Sequence, residues 1–224
     1  MKITFLGTGA ADWSRALHKD VEGFRRNAAI LIDDCLLIDC GPDVPDALAT
    51  FGKRVDSIRY VINSHRHADH YNENTIASLP HATLYPTTVG GTVTVGTYTV
   101  EVLPANHATC PNAVHFIVSD GEKRLFYGLD GAWLLYVEVK AIQKYGVDLA
   151  ILDATVGDVC GDYRIFEHNN LTMVMELKHS LAPYVGRWFI SHMARTLHTS
   201  HAELVQRMKP HGIDVAYDGC EIVL

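Results

Sequence analysis

The feature that most constrains this chain is a dense group of histidines directly after a short apolar run. The run Tyr-Val-Ile resembles a buried strand, and positions 65–70 then hold three histidines and one aspartate. Imidazole and carboxylate groups are the ligands that Zn²⁺, Mn²⁺ and Fe²⁺ accept in proteins. In extended backbone His65 and His67 point to the same side, so both can reach one cation.

The second half of this motif predicts ligands for a second cation. A helix is predicted over 68–79, and Asp69 and His70 lie in its first turn, from which they can turn back towards another ion. A structural role is the commoner explanation for an isolated histidine, but it does not account for three histidines and an aspartate in six positions. The segment therefore predicts a binuclear metal centre.

Composition limits the class of protein and the kinds of partner. The chain has 224 residues, of which 48% are hydrophobic and 20% charged, as expected of one soluble α/β domain over 1–224. The net charge of −7 argues against binding long nucleic acids, whereas two divalent cations would still attract a small phosphorylated substrate. The oligomeric state is left open, with a homodimer among the alternatives.

The cellular location follows from what the sequence lacks. No apolar run reaches the roughly 20 residues that span a bilayer, so no membrane partner is expected. The N-terminus reads as a first strand rather than a signal peptide, and the five cysteines suit reduced thiols. These features predict a cytoplasmic protein.

Four more candidate residues each follow a predicted strand; they are Asp39, His107, Asp130 and His192. Ligands from distant segments commonly meet at one edge of a layered sheet. A turn or helix-capping role is the alternative for Asp39 and Asp130.

The motif His65-x-His67-x-Asp69-His70 after a hydrophobic strand resembles the signature of the metallo-β-lactamase superfamily. The resemblance implies a four-layer αββα sandwich of the α/β (α+β) class over 1–224. It also implies a complete ligand set, with one cation on His65, His67 and His107, the other on Asp69, His70 and His192, and Asp130 between them. Asp39 would support a ligand histidine from behind by accepting its second ring N–H.

Within the superfamily the chain most resembles the phosphonate-pathway cyclic phosphodiesterase branch. The segments 164–171, 189–192 with 198–204, and 213–222 carry this resemblance, although 10–27 lacks the cysteine-rich zinc site of that enzyme. The resemblance implies a hydrolase that binds two divalent ions, Zn²⁺, Mn²⁺ or Fe²⁺. A hydroxide bridging the two ions would attack a small phosphodiester, cyclic or linear.

Catalytic and substrate-binding residues are predicted at four positions. His168 is the candidate general acid, with a solvated helix-start histidine as the alternative. Asp69 is expected to act in catalysis as well as binding metal, and Arg195 and His198 to contact the substrate. A lactone or thioester hydrolase on the same metals is the alternative function. A metal-binding protein without activity is a third.

Overall fold

The computed structural model describes residues 1–224, and its strands form two sheets. The strands of the first sheet are β1 (Lys2–Gly7), β2 (Ala29–Ile32), β3 (Leu36–Ile38), β4 (Tyr60–Ile62), β5 (Thr83–Leu84) and β13 (Glu221–Val223). Their order is β13-β1-β2-β3-β4-β5. β2 and β3 form an antiparallel hairpin, and β3, β4 and β5 run parallel.

The second sheet holds the remaining strands. They are β6 (Thr92–Val95), β7 (Tyr98–Pro104), β8 (Val114–Ser119), β9 (Arg124–Gly128), β10 (Val147–Asp153), β11 (Val185–Ser191) and β12 (Asp214–Val215). Their order is β12-β11-β10-β9-β8-β7-β6. β10 pairs in parallel with both β9 and β11, which explains why its sequence is almost entirely apolar.

Six α-helices complete the fold. They are α1 (Arg15–His18), α2 (Val44–Thr50), α3 (Glu73–Ala77), α4 (Tyr136–Tyr145), α5 (Leu171–Leu181) and α6 (His201–Met208). None of them combines the length and the apolar character that crossing a bilayer requires. Asn170 caps α5 by accepting a hydrogen bond from the Met173 N–H.

Alternating side chains place the two sheets in one sandwich. In β2, Ile30 and Ile32 enter the core between the sheets, whereas Leu31 faces outward into the layer that includes α2. The outer face of the second sheet packs against α4, α5 and α6 through residues such as Ile142 and Val174. The layers are therefore helix, sheet, sheet, helix, and the predicted αββα architecture is confirmed.

The helix expected over 68–79 is shorter than predicted. Residues 67–71 form a turn in which the His67 carbonyl accepts hydrogen bonds from the N–H groups of His70 and Tyr71. The helix begins only at Glu73 because the Asn72 side chain accepts from the Thr75 N–H and caps it. Asp69 and His70 consequently lie in a turn rather than in a helix.

Candidate metal centre

Strand ends bring the candidate residues together at one edge of the sandwich. β9, β10 and β11 are parallel, so their carboxyl ends lie side by side. Asp130 follows β9, Asp153 is the last residue of β10, and His192 follows β11. The segment after β4 brings His65 to the same place, since its ligand nitrogen lies within 4.8 Å of an Asp130 oxygen.

Three of these strand-end residues adopt the left-handed backbone conformation. The φ angles are 64° for Asp39, 58° for Asp130 and 60° for His192. This conformation costs an L-residue about 1–2 kcal/mol and is visited mainly by Asn, Asp and His among residues with a side chain. Strained positions of this kind concentrate at functional sites, where surrounding contacts hold them.

The first set of candidate ligands is His65, His67 and His107. Their ligand nitrogens lie within 4.8 Å of one another, and Nδ1 of His67 is 3.1 Å from Nε2 of His107. Nε2 of His65 is buried and has no hydrogen-bond partner. Burial and the charge of His70 lower the pKa of His65 to about 3, so the ring is neutral at pH 7 and can bind a cation.

The second set is Asp69, His70 and His192. Nδ1 of His70 donates to Oδ2 of Asp39 at 2.8 Å, which directs Nε2 towards the other candidate ligands. That Nε2 lies 3.2 Å from Nε2 of His192, 3.2 Å from Oδ2 of Asp69 and 2.8 Å from Oδ2 of Asp130. Asp130 therefore lies between the two sets.

His192 is oriented in the same manner. Thr155 Oγ1 lies 2.7 Å from Nδ1 of His192 and donates its own proton to the His192 carbonyl at 2.9 Å. Thr155 therefore accepts from Nδ1, and the lone pair of His192 lies on Nε2. The Nε2 atoms of two imidazoles and the oxygens of two carboxylates, Asp69 and Asp130, consequently converge. A cation satisfies such an arrangement, and these nitrogen and oxygen ligands fit Zn²⁺, Mn²⁺ or Fe²⁺.

The ionisation of Asp130 and Asp69 also suits cation binding. Burial opposes ionisation of Asp130, yet the neighbouring imidazoles of His192 and His70 lower its pKa well below the usual range. Burial likewise opposes ionisation of Asp69, and His70 again outweighs it and lowers the pKa. Both groups are therefore anionic at neutral pH.

Asp39 lies beneath the site and is fully buried. Besides His70, it accepts hydrogen bonds from the backbone N–H of Ser64 at 2.7 Å and from the hydroxyl of Tyr127 at 2.8 Å. The Ser64 hydroxyl also donates to it and lies 2.9 Å from Nδ1 of His65. One carboxylate thus orients two candidate ligands, His70 directly and His65 through Ser64.

His168 lies beside the candidate ligands, just before α5. Its Nδ1 is 2.8 Å from Oδ2 of Asp153 and 3.6 Å from Oδ1 of Asp130, and its ring stacks on His192 with centroids 5.5 Å apart. Burial disfavours a charge on this ring, but the Asp153 carboxylate outweighs burial and raises the pKa of His168 to about 9. The ring is therefore protonated at neutral pH.

A cavity of about 190 Å³, here called the central cavity, opens over these residues. His168 and five candidate ligands line it: His67, Asp69, His107, Asp130 and His192. His65 and His70 lie below, with 5% and 0% of their surface exposed.

The two substrate contacts predicted from the sequence lie outside the walls of the central cavity. Arg195 is exposed, and its backbone N–H donates to the Asp12 carboxylate at 2.9 Å. His198 is directed at the carbonyl of Ala154, with its Nε2 at 2.7 Å. Both residues follow His192 in sequence, but the chain turns away from the cavity after Ala194.

Four residues around the site had no role in the sequence-based prediction; they are Asp153, Thr155, Arg164 and Glu167. Asp153 follows the same pattern as Asp130 and His192, an acidic or imidazole group where a strand ends, and this signal was available. Arg164 and Glu167 lie in an irregular segment, and no local pattern indicated that they would line the cavity.

Comparison with known proteins gives one match to a family model. The model for the Anti-Pycsar protein Apyc1 matches residues 1–73. Two curated Apyc1 proteins, from Paenibacillus harenae and Paenibacillus sp. (strain J14), are 42% and 39% identical over 72 and 71 residues. Each alignment covers 31% of this chain, and they span 27% and 26% of the two relatives. The matched segment includes the β4 strand and the histidine cluster after it.

Solved structures match along nearly the whole chain. The metallo-β-lactamase fold protein YhfI from Bacillus subtilis has a TM-score of 0.77 at 16% identity and covers 99% of this chain and 98% of its own. A diphosphatase from the PhnP family has a TM-score of 0.74 at 16% identity, covering 100% and 97%. Zn²⁺-bound PqqB from Methylobacterium extorquens has a TM-score of 0.74 at 17% identity, covering 100% of both chains. This chain has the metallo-β-lactamase fold.

Proposed function

We propose that this chain is a hydrolase that uses two divalent cations to cleave a small phosphodiester, cyclic or linear. The observation that carries the proposal is the convergence of seven candidate ligand side chains in two groups that meet at Asp130. Cations bound there would supply an ionised water near neutral pH and would withdraw charge from the ester oxygens.

The remaining side chains then have defined tasks. His65, His67 and His107 would hold one cation, and Asp69, His70 and His192 the other, with Asp130 shared. Asp39 and Thr155 keep the proton of His70 and His192 on Nδ1, so that Nε2 stays free to bind a cation. The orientation of the ligands is thus set by groups that never touch the substrate.

His168 is the proposed proton donor to the leaving oxygen. Asp153 holds its Nδ1, so the ring offers the Nε2 proton to an ester in the central cavity. Transfer of that proton leaves a neutral ring whose Nδ1–H still donates to Asp153. The leaving alkoxide departs as an alcohol, which lowers the barrier most for leaving groups of high pKa.

The charges around the central cavity support a phosphodiester over a neutral ester. Arg164 lines this cavity and is held by Asp162, with Nε and Nη2 at 2.8 and 2.7 Å from the carboxylate. The cationic His168 lines the same cavity, together with the carboxylates of Asp12 and Glu167. The two cationic side chains would attract an anionic phosphodiester, whereas an uncharged lactone or thioester would gain no such attraction on binding. A PhnP-family diphosphatase shares the fold, which also supports a phosphorus ester.

The test is a substrate panel on one protein sample that has been stripped of metal and reloaded with Zn²⁺ or Mn²⁺. The panel contains bis(p-nitrophenyl) phosphate, a 3′,5′-cyclic nucleotide, a homoserine lactone and a glutathione thioester. We expect turnover of the phosphodiesters only, with two equivalents of metal bound. Faster turnover of the lactone or the thioester would favour that class instead, and metal uptake without any hydrolysis would contradict the proposal.

A further inference from the structure

We propose that His115 and Glu138 position Asp130, the carboxylate that the two sets of candidate ligands share, by holding the backbone on either side of it. This inference rests on the proposed function and adds two positioning residues to it. Both side chains are fully buried, with 0% of their surface exposed, and neither lines the central cavity. Their effect on the metal centre therefore has to pass through the backbone.

The Asp130 side chain is oriented differently from the ligand histidines. Each histidine of the second set has a buried group that holds its Nδ1. Oδ2 of Asp130, by contrast, is buried and makes no hydrogen bond. The direction of this carboxylate therefore depends on the backbone of Asp130, which adopts the left-handed conformation with a φ angle of 58°.

The peptide group between Leu129 and Asp130 is held at both of its polar atoms. Nε2 of His115 lies 3.1 Å from the Leu129 carbonyl oxygen, and because a carbonyl can only accept, Nε2 carries the proton of this hydrogen bond. The Asp130 N–H donates to Oδ2 of Asp153 at 3.0 Å. Since a peptide group is planar, the two hydrogen bonds together fix its tilt and with it the direction in which the turn at Asp130 begins.

The residue after Asp130 packs on the same ring. A Cβ atom at position 131 would lie 2.6 Å from Cε1 and 2.8 Å from Nε2 of His115, closer than a side-chain carbon can approach, so only Gly131 allows this contact. The His115 ring therefore contacts the chain on both sides of Asp130, at the Leu129 carbonyl and at Gly131.

Glu138 holds the ring and the far end of the same loop. Its Oε1 lies 2.6 Å from Nδ1 of His115, and its Oε2 accepts from the N–H of Leu135, the residue before α4. The surroundings are apolar, and the His115 ring meets Phe126 edge-on. A buried ion pair is often no more stabilising than apolar side chains of the same volume, so the position that it imposes on Asp130 better explains its presence here.

The experiment measures cation affinity in variants that each remove one contact of the ring. The amide nitrogen of glutamine stands as many bonds from Cα as Nε2 of histidine, and that of asparagine as many as Nδ1. His115→Gln therefore keeps a donor for the Leu129 carbonyl, whereas His115→Asn keeps only the donor for Glu138. Competition of the Zn²⁺-loaded proteins with a chromophoric chelator gives the affinities.

We expect His115→Asn to bind Zn²⁺ about 10–100-fold more weakly than the wild type, because losing a group that supports a metal ligand typically has this effect. His115→Gln should stay within about threefold of the wild type, because it keeps the supporting hydrogen bond. Glu138→Gln, which weakens the hold on Nδ1, should lose less affinity than His115→Asn.

The control separates positioning from a general loss of stability. Ile142 is a buried residue of α4, the helix that also carries Glu138, and it packs in the apolar layer outside the second sheet. Ile142→Ala should destabilise the protein by leaving a cavity but should bind Zn²⁺ as the wild type does. Circular dichroism establishes that each loaded variant is folded.

Wild-type affinity in His115→Asn or, if that variant is unfolded, in Glu138→Gln would overturn the inference. Equal losses of affinity in the tested variant and in Ile142→Ala would also overturn it, since stability alone would then be responsible, and so would equal losses in His115→Asn and His115→Gln. Hydrolysis of bis(p-nitrophenyl) phosphate by the same wild-type sample tests the proposed function separately. Zn²⁺ binding that depends on the Leu129 contact but brings no hydrolysis would support the positioning role and contradict the proposed function.

Discussion

Replacing Glu138 by glutamine should destabilise the protein by about 2–3 kcal/mol. Both oxygens of this fully buried carboxylate are used: Oε1 accepts from Nδ1 of His115 at 2.6 Å, and Oε2 from the N–H of Leu135 at 2.7 Å. Glutamine has one acceptor oxygen, so one buried donor loses its partner. A hydrogen bond to a charged group contributes about 1.5–3 kcal/mol, and a partnerless buried donor retains its desolvation cost.

The ion pair between His115 and Glu138 makes the loss of stability in Glu138→Gln depend on pH. The second ring nitrogen of His115 donates to the carbonyl of Leu129 at 3.1 Å, so both nitrogens donate and the ring is protonated. Burial opposes this charge, but Glu138 outweighs it and raises the pKa of His115. Because the folded pKa lies above the unfolded value of about 6.5, the stabilisation is complete below pH 6.5 and is lost as pH rises through the folded pKa.

The assay is urea unfolding of the metal-loaded protein at several pH values from 6 to 10. The difference in unfolding free energy between wild type and Glu138→Gln isolates this pair from the other titrating histidines. This difference in free energy should be largest at pH 6 and should shrink as pH rises. At pH 6 the melting temperature of Glu138→Gln should lie about 4–12 °C below that of the wild type. Glu176→Gln, an exposed glutamate on α5, is the matched control and should stay within about 0.5 kcal/mol of wild type. A Glu138→Gln difference no larger than that of the control, or one that grows with pH, would refute the reasoning.

Three further predictions concern the metal centre. Asp39→Asn should weaken cation affinity about 10–100-fold, because the ring of His70 loses the carboxylate that fixes its proton. Competition with a chromophoric chelator measures the affinity. An unchanged affinity would show that Asp39 does not support His70 as a metal ligand. His168→Ala should keep both cations and lose about 10²–10⁴-fold in turnover, with the largest loss for leaving groups of high pKa. An equal loss of turnover across a leaving-group series would argue against proton donation. His179→Ala, on the exposed face of α5, is the control. Stripping the metal should lower the melting temperature, because a ligand present at 100 times its Kd stabilises the native state by about 2.7 kcal/mol. Calorimetry with and without chelator measures this difference. Identical unfolding curves would indicate that no cation binds the folded protein.

Much of the fold and of the candidate site could be predicted from local sequence. Hydrophobic patterns depend on neighbouring residues, so the first strand at the N-terminus and the strand before the histidine cluster were both predicted, and they are observed as β1 and β4. The histidine cluster at 65–70 could likewise be recognised from a few neighbouring residues. The likeness of the motif to a known superfamily then indicated His107, Asp130 and His192, which the structure brings to the same place.

Tertiary structure alone decided which loop residues face the centre. Asp153 and His168 are 15 positions apart, and they meet because β10 ends beside the segment that precedes α5. Arg195 follows a candidate ligand closely, but its backbone is tied to Asp12 and its side chain is exposed.

The physical reason is that strands and helices are encoded by patterns within a few residues, whereas the direction of a loop side chain depends on contacts between distant segments. His192 illustrates both: its place after an apolar strand is visible in the sequence, but its inward direction requires a left-handed backbone turn and the hydroxyl of Thr155. The sequence by itself determined the chemistry of the ligands, and its resemblance to a known superfamily indicated the layers. Contacts between distant segments determined the central cavity, the pairing of Asp153 with His168 and the environment that keeps this histidine protonated.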